Sequence, residues 1–443
     1  MIDTSIFKAY DVRGLYPDQI DEELAYRIGR AFARVLGDLE GKPPTGLHVA
    51  LGHDMRLTSP ALAERYATGI RDEGADVLDV GMVGTEMVYF TVGSRGLDGG
   101  LMCTASHNPK TYTGAKLVRH GALPLSGDQG IGDVRAIVAG GEPGPPVEPP
   151  GELRDHDIHD EFRSACEGYI DRSAIRPMKV VLDGGNGMAG QMVGPLLDEL
   201  PIEQVQTYWE PNGDFPGHEP NPLLPENRTF VIKKVLSEGA ELGIAWDGDG
   251  DRCFFIDDNG QFVDGDFLTA LLAQSILEKD AGAKILYDVR ASRAVQDTVE
   301  AAGGTALVNR VGHAFFKVSG HYYFRDFYCA DSGTIPALVI LELLSTKGQR
   351  MSELLAGYRS RYFISGEINS TVENQDAKMR ELAERYSDGQ VSWLDGVSVD
   401  YPDWHFNVRP SNTEPLLRLN LESVASPDDM ERKRDEVLAL IRA

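Results

Sequence analysis

Apolar residues recur at helical spacing from Glu22 to Leu36, with charged residues between them, which predicts an amphipathic helix. A short apolar run from Leu47 to Leu51 then predicts a strand, and Ser59-Pro60 predicts a helix start, with serine as N-cap and proline at the first helical position. The alternation returns further on, with predicted strands at Lys179 to Asp183 and Lys284 to Val289. Strand, loop and helix in succession predict layered α/β domains. From about Ser365 the pattern changes to a helix at Gln375 to Arg385 and strands at Trp404 to Arg409 and Leu416 to Glu422. A closing helix begins at Ser426-Pro427-Asp428-Asp429, so this last segment reads as α+β. The stretch A-G-G-E-P-G-P-P-V-E-P-P-G, from Ala139 to Gly151, is too rich in glycine and proline for a helix or central strand and marks a domain linker.

Chemistry gathers where apolar runs break. The run beginning at Leu101 turns abruptly into T-A-S-H-N-P, which delivers Ser106 to a loop at a strand's C-terminal edge, where open α/β sheets keep their sites. The run Glu241 to Trp246 leads into D-G-D-G-D-R, whose alternating carboxylates can converge on a hard cation and would repel one another without it. An EF-hand does not fit, because Arg252 stands at its sixth position and Asp258 at its twelfth. Gly185, Gly187 and Gly190 spell G-x-G-x-x-G after a strand, yet no strand ending in an acidic residue follows about 20 residues on, so a structural turn is preferred to a dinucleotide site. Between the last two strands, P-S-N-T-E-P offers amides and hydroxyls to a dianionic phosphate, bracketed by Arg409 and Arg418.

Length and charge narrow the picture. A chain of 443 residues exceeds one hydrophobic core and predicts three or four domains. A net charge of −26 argues against a nucleic-acid partner and requires any anionic substrate to meet a local reversal of sign. The N-terminus lacks the pattern of a signal peptide and no apolar run reaches membrane-spanning length, so a cytoplasmic protein without membrane attachment is expected. The four cysteines form no C-x-x-C pair, which predicts reduced thiols.

Together, T-A-S-H-N-P, D-G-D-G-D-R and R-P-S-N-T-E-P resemble the motifs of the α-D-phosphohexomutase family, in particular its phosphomannomutase/phosphoglucomutase branch. The resemblance implies an α/β protein of four domains around a central cleft, three similar α/β domains and a smaller α+β C-terminal domain. The expected divisions are 1–150 for the phosphoserine, 151–256 for the metal loop, 257–363 for sugar recognition and 364–443 for phosphate binding. The implied reaction is reversible phosphoryl transfer between O1 and O6 of mannose or glucose phosphate, through phosphorylated Ser106 and a bisphosphorylated sugar. Mg²⁺ is the implied metal, held by Asp247, Asp249, Asp251 and the Ser106 phosphate, with Arg252 facing the phosphoryl group and a hexose 1,6-bisphosphate as activator.

Other positions follow from the same resemblance. F-K-A-Y-D-V-R-G sets Tyr10 and Arg13 beside the phosphoserine, and K-T-Y-T-G-A-K carries Lys116, with Thr113 where the family usually has asparagine. His107 and Lys116 are both candidates for proton transfer. Arg290 lines the cleft, while His313, Ser319 and His321 approach the substrate. Arg409, Ser411, Asn412 and Thr413 bind the non-reacting phosphate, and Arg418 is a further substrate-binding residue. Small hexose phosphates are the expected partners of a monomer or weak homo-oligomer. The A-D-S-G and S-N-T-E-P runs favour mannose and glucose over glucosamine phosphates, and the intact Ser106, aspartates and Arg252 count against a catalytically impaired relative.

One departure is large. Between His313 and His321 the chain is about a dozen residues short of the resemblance and lacks the sugar-gripping glutamate. A parallel crossover between strands ending near Val308 and starting near Tyr322 would also be tight. Two explanations stand: a genuine deletion, or a segment missing from the sequence as read. The second is preferred, with a Cα separation beyond ~3.8 Å expected between Ala314 and Ser319.

Overall fold

A computed structural model of the chain describes residues 2–126, 129–141, 143–311, 320–411 and 416–443. The chain forms two compact units, Met1–Phe262 with His321–Gly348, and Val263–Gly320 with Gln349–Ala443.

In the first unit, strands β1 (Asp11–Leu15), β2 (His48–His53), β3 (Asp76–Met82), β4 (Gly99–Cys103) and β5 (Tyr112–Arg119) assemble in the order β1-β5-β4-β2-β3, with Leu153–Asp155 at the far edge. β2 pairs parallel with both β3 and β4, so β2 and β4 deliver the residues that follow them to the same sheet edge. Asp54 N, just past β2, donates to the Cys103 carbonyl at the end of β4. β5 lies antiparallel between β4 and β1, which sets Lys116 opposite Met102 on one side and Asp11 on the other.

Helix α1 (Glu22–Glu40) starts where Asp21 accepts a hydrogen bond from Leu24 N at 2.8 Å and stops at Gly41. It packs on α2 (Ser59–Asp72) so closely that a Cβ at Gly69 would lie 2.1 Å from the Tyr26 carbonyl oxygen. Ser59 does not cap α2 as expected. It is the first helical residue, and its hydroxyl donates at 2.6 Å to buried Asp54. The linker is not free chain either: Arg27, Arg30 and Arg71 donate to the carbonyls of Val138, Gly141, Gly144, Pro145 and Gly151.

A second sheet of the same unit runs in the order Cys253–Asp257, Leu242–Trp246, Met178–Asp183, Ile202–Thr207. Leu242–Trp246 is parallel to Met178–Asp183 and antiparallel to Cys253–Asp257, so D-G-D-G-D-R forms the tip of a hairpin.

The second unit contains a parallel pair, Lys284–Asp288 with Thr305–Asn309, and helices Gly265–Lys279 and Arg293–Ala301. It also contains an antiparallel sheet in which Trp404–Pro410 and Leu416–Ser423 are adjacent, with Gln375–Arg385 and Pro427–Arg442 as helices. Tyr323–Phe324 pairs antiparallel with Ala330–Asp331 in the first unit, not with Thr305–Asn309. No parallel crossover therefore has to fit between Val308 and Tyr322, and that expected strain disappears. The stretch where a chain break was expected, Ala314 to Ser319, lies outside the described residues.

Candidate active site

Ser106 stands just past β4 with a backbone φ of 49°, in the left-handed region. That conformation costs a serine roughly 1–2 kcal/mol, so its surroundings must hold it. Ser106 N donates to Thr104 Oγ1 at 2.8 Å, and its carbonyl accepts from Arg56 at 2.8 Å. The side chain is buried: Oγ donates to Asp247 Oδ2 at 3.0 Å and lies 3.2 Å from both His107 Nδ1 and Arg252 Nη2.

Asp247, Asp249 and Asp251 are buried on the hairpin tip, each offering an oxygen within 4.8 Å of the others. Backbone packing fixes that tip. A Cβ at Gly248 would lie 2.5 Å from the Ser106 carbonyl oxygen, one at Gly187 2.5 Å from that of Gly248, and one at Gly333 2.3 Å from that of Gly250. The G-x-G-x-x-G turn thus serves as a seat for the acidic loop, with Met188 N donating to the Gly248 carbonyl at 2.9 Å. On the other side Thr85 donates from N to the Asp249 carbonyl at 3.1 Å and from Oγ1 to Asp249 Oδ2 at 2.5 Å.

Two cations face the three carboxylates. Lys116 Nζ donates to Asp249 at 2.6 Å and Asp251 at 2.5 Å, and Arg252 donates from Nε to Asp247 at 2.7 Å. Burial would lower the Lys116 ammonium, but Asp249 and Asp251 outweigh it and hold the group well above its usual range. Burial drives the Asp247 carboxyl up against the pull of Arg252. Asp249 Oδ1 and Asp251 Oδ1 are buried and, among the described residues, accept no hydrogen bond. Hard carboxylate oxygens with unused lone pairs fit a divalent cation, so the donor set suits the implied metal.

His107 is depressed well below its ordinary value, first by burial and then by Arg252 and Arg13, so it is neutral near pH 7. Arg252 Nη2 contacts its Nδ1. Arg13 pairs with Asp11 at 2.5 Å and donates to Asn108, while Tyr10 is 38% exposed just before β1. His321 reaches the acidic loop from the segment after residue 320, with Nε2 3.9 Å from Asp251 Oδ1. It forms a second compact group with Asp251 and Asp331.

A separate cationic cluster lies within the second unit. Arg409 and Arg418 are opposite one another on paired strands, and both reach Glu367, at 2.7 and 3.4 Å. Arg290 lies 3.7 Å from the same carboxylate while pairing bidentately with Asp288 at 2.9 and 2.7 Å. Arg418 also approaches Ser411 Oγ at 3.4 Å. His313, Ser319, Asn412 and Thr413 lie outside the described residues.

Several site residues were not anticipated. Asp54 and Arg56 follow β2 at the same sheet edge as Ser106, a position that could have drawn attention to G-H-D-M-R. Thr85 opens the helix α3 (Thr85–Arg95) with no comparable signal. Glu367 and Asp288 carry nothing in the sequence that marks them as partners of arginines.

The chain matches the models for phosphoglucomutase/phosphomannomutase alpha/beta/alpha domain I over residues 4–142, domain II over 160–260, domain III over 264–362 and the C-terminal domain over 367–440. A Xanthomonas campestris pv. campestris protein named phosphohexose mutases is 43% identical over 98% of this chain and 99% of its own length. A Salmonella montevideo phosphomannomutase is 42% identical over the full length of both chains. The crystal structure of a phosphoglucomutase/phosphomannomutase family protein from Burkholderia thailandensis superposes with a TM-score of 0.87 at 34% identity, covering 100% of this chain and 98% of that one. Four consecutive domain matches and full-length relatives above 40% identity show that this chain belongs to the phosphoglucomutase/phosphomannomutase family.

Proposed function

We propose that the chain interconverts the 1- and 6-phosphates of mannose or glucose by reversible phosphoryl transfer through Ser106. The observation that carries this reading is the buried Ser106 hydroxyl, set between Asp247 and Arg252 on a left-handed backbone. From phosphorylated Ser106, the bond from Oγ to phosphorus breaks as one forms to the free sugar hydroxyl, whose proton passes to a base. The product is a hexose 1,6-bisphosphate, which also serves as activator by phosphorylating Ser106. After the bisphosphate turns end for end, Ser106 Oγ takes back the other phosphoryl group.

Little covalent chemistry is asked of the protein, so positioning and charge stabilisation carry the rate. Mg²⁺, held by Asp247, Asp249, Asp251 and the Ser106 phosphate, would neutralise charge on the transferring group. Arg252 already donates toward Ser106 Oγ and serves the same purpose. His107 beside Ser106 Oγ and Lys116 beside Asp249 and Asp251 are the two candidates for moving the proton. Arg13 and Tyr10 are assigned to the phosphoserine side, and His313, Ser319 and His321 to the sugar. The guanidinium cluster around Glu367 supports assigning Arg290, Arg409, Ser411 and Arg418, with Asn412 and Thr413, to the non-reacting phosphate. The domain roles proposed run 1–150, 151–256, 257–363 and 364–443, in a cytoplasmic monomer or weak homo-oligomer.

A mutase assay with mannose, glucose and glucosamine phosphates, each with a trace of 1,6-bisphosphate, tests the reading. Mannose and glucose phosphates should turn over, and Ser106→Ala should lose more than about 1,000-fold in kcat while staying folded. Intact-mass analysis should find one phosphate on the wild type and none on the variant. Wild-type turnover by Ser106→Ala excludes the mechanism, and turnover of glucosamine phosphate in preference to the others reassigns the sugar.

A further inference from the structure

Beneath the Ser106 loop lies a buried polar cluster built on the loop that follows β2. Arg56 is 1% exposed and Asp54 is fully buried. All five N–H donors of the Arg56 guanidinium are directed inward. Nε donates to Asp54 Oδ2 at 3.2 Å, Nη1 to the carbonyls of Pro109 and Tyr112 at 2.9 and 3.2 Å, and Nη2 to those of Ser106 and Asn108 at 2.8 and 2.6 Å. The ring of Phe215 lies 5.2 Å from the guanidinium carbon.

Asp54 closes the cluster. Its Oδ1 accepts from Arg56 N at 3.0 Å and from Ser59 Oγ at 2.6 Å, and its Oδ2 accepts from Thr104 Oγ1 at 2.7 Å. Thr104 Oγ1 in turn accepts from Ser106 N at 2.8 Å. Both polar ends of Ser106, its N–H and its carbonyl, are therefore tied to one buried ion pair contributed by the loop after β2.

We infer that Arg56, Asp54 and Thr104 are positioning residues of the transfer reaction, holding the Ser106 backbone left-handed so that Oγ faces Asp247 and Arg252. The inference rests on Ser106 being the phosphoryl carrier. Four of the five guanidinium bonds end on loop carbonyls, so Arg56 reads the backbone shape from Ser106 to Tyr112 and leaves no donor for a phosphate. Lysine, with three donors on one nitrogen, cannot satisfy the same fan. The left-handed φ of Ser106 is costly in isolation, and displacing a reacting oxygen by about 1 Å is enough to lose roughly 100-fold in rate.

The test compares Arg56→Lys, Thr104→Val and Thr104→Ser in the full chain, each checked for an unchanged melting transition. Arg56→Lys should lower kcat about 100-fold and Thr104→Val about 10-fold, with KM for the sugar phosphate within about twofold of wild type. Thr104→Ser, which keeps the hydroxyl, should restore kcat. The rate at which glucose 1,6-bisphosphate phosphorylates Ser106, followed by intact mass, should fall in parallel with kcat. If Arg56→Lys fails to fold, the two Thr104 variants decide. Wild-type kcat in Thr104→Val, a loss that Thr104→Ser does not reverse, or a loss confined to KM overturns the inference. Failure of the carrier reading is distinguished by Ser106→Ala, which would then remain active.

Discussion

At Gly187 a side-chain carbon would lie 2.5 Å from the Gly248 carbonyl oxygen, inside any tolerable contact. The middle glycine of the nucleotide-like fingerprint is thus required because the acidic loop packs on that turn. Gly187→Ala should push the loop away from Ser106 and raise the Mg²⁺ concentration needed for half-maximal activity by about 10-fold or more. An unchanged activation curve would reject that role. Exhaustive chelation should abolish turnover and added Mg²⁺ restore it, because Asp249 and Asp251 each keep a buried oxygen without a hydrogen bond among the described residues. Full activity after chelation would exclude a metal. Ser106 and the aspartates were readable as a break from apolar to polar residues, whereas Glu367 was invisible because its meaning comes from three arginines distant in sequence.

At the start of α3, Glu86 accepts from Thr334 Oγ1 at 2.6 Å in full burial, which pushes its carboxyl up to about 8. A group raised in this way from its ordinary 4.5 binds its proton more tightly in the folded state. Its stabilising contribution is complete below that ordinary value and is lost as pH rises through about 8. Wild-type stability should therefore fall between about pH 5 and pH 9, by on the order of a few kcal/mol from this group. Glu86→Gln should flatten the trend in melting temperature, and an unaltered slope would contradict it. The amphipathic pattern of α1 was legible from its start at Glu22, though the helix runs four residues past the predicted Leu36, and a helix near Gln375 to Arg385 was legible too. The pairing of Tyr323–Phe324 was not, since a two-residue strand has too little pattern to name its partner.

Across the whole chain, Cys103, Cys166 and Cys253 are buried and Cys329 is exposed. Burial pushes the three interior thiols up, away from the reactive thiolate. One thiol per chain should react readily with a maleimide under native conditions, and all 4 in denaturant. Rapid native labelling of more than one would mean that the interior opens easily. The net charge of −26 coexists with a local cationic cluster in the second unit, where Arg290, Arg409 and Arg418 gather around Glu367. Among the described residues, no helix is long and apolar enough to cross a membrane.

Sequence determined what depends on neighbours along the chain: the α/β alternation, the strand-end placement of Ser106, and the carboxylates two residues apart on a glycine-loosened loop. Tertiary structure decided what depends on approach between distant segments. It brought Lys116 of β5 onto Asp249 and Asp251, and supplied the packing contact that the structural turn at Gly187 makes with the acidic loop. It also placed Arg56 under the carbonyls of residues 106–112. The reason is that hydropathy periodicity records which face of an element is buried, while a hydrogen bond or ion pair across about 50 or more residues depends on which faces meet.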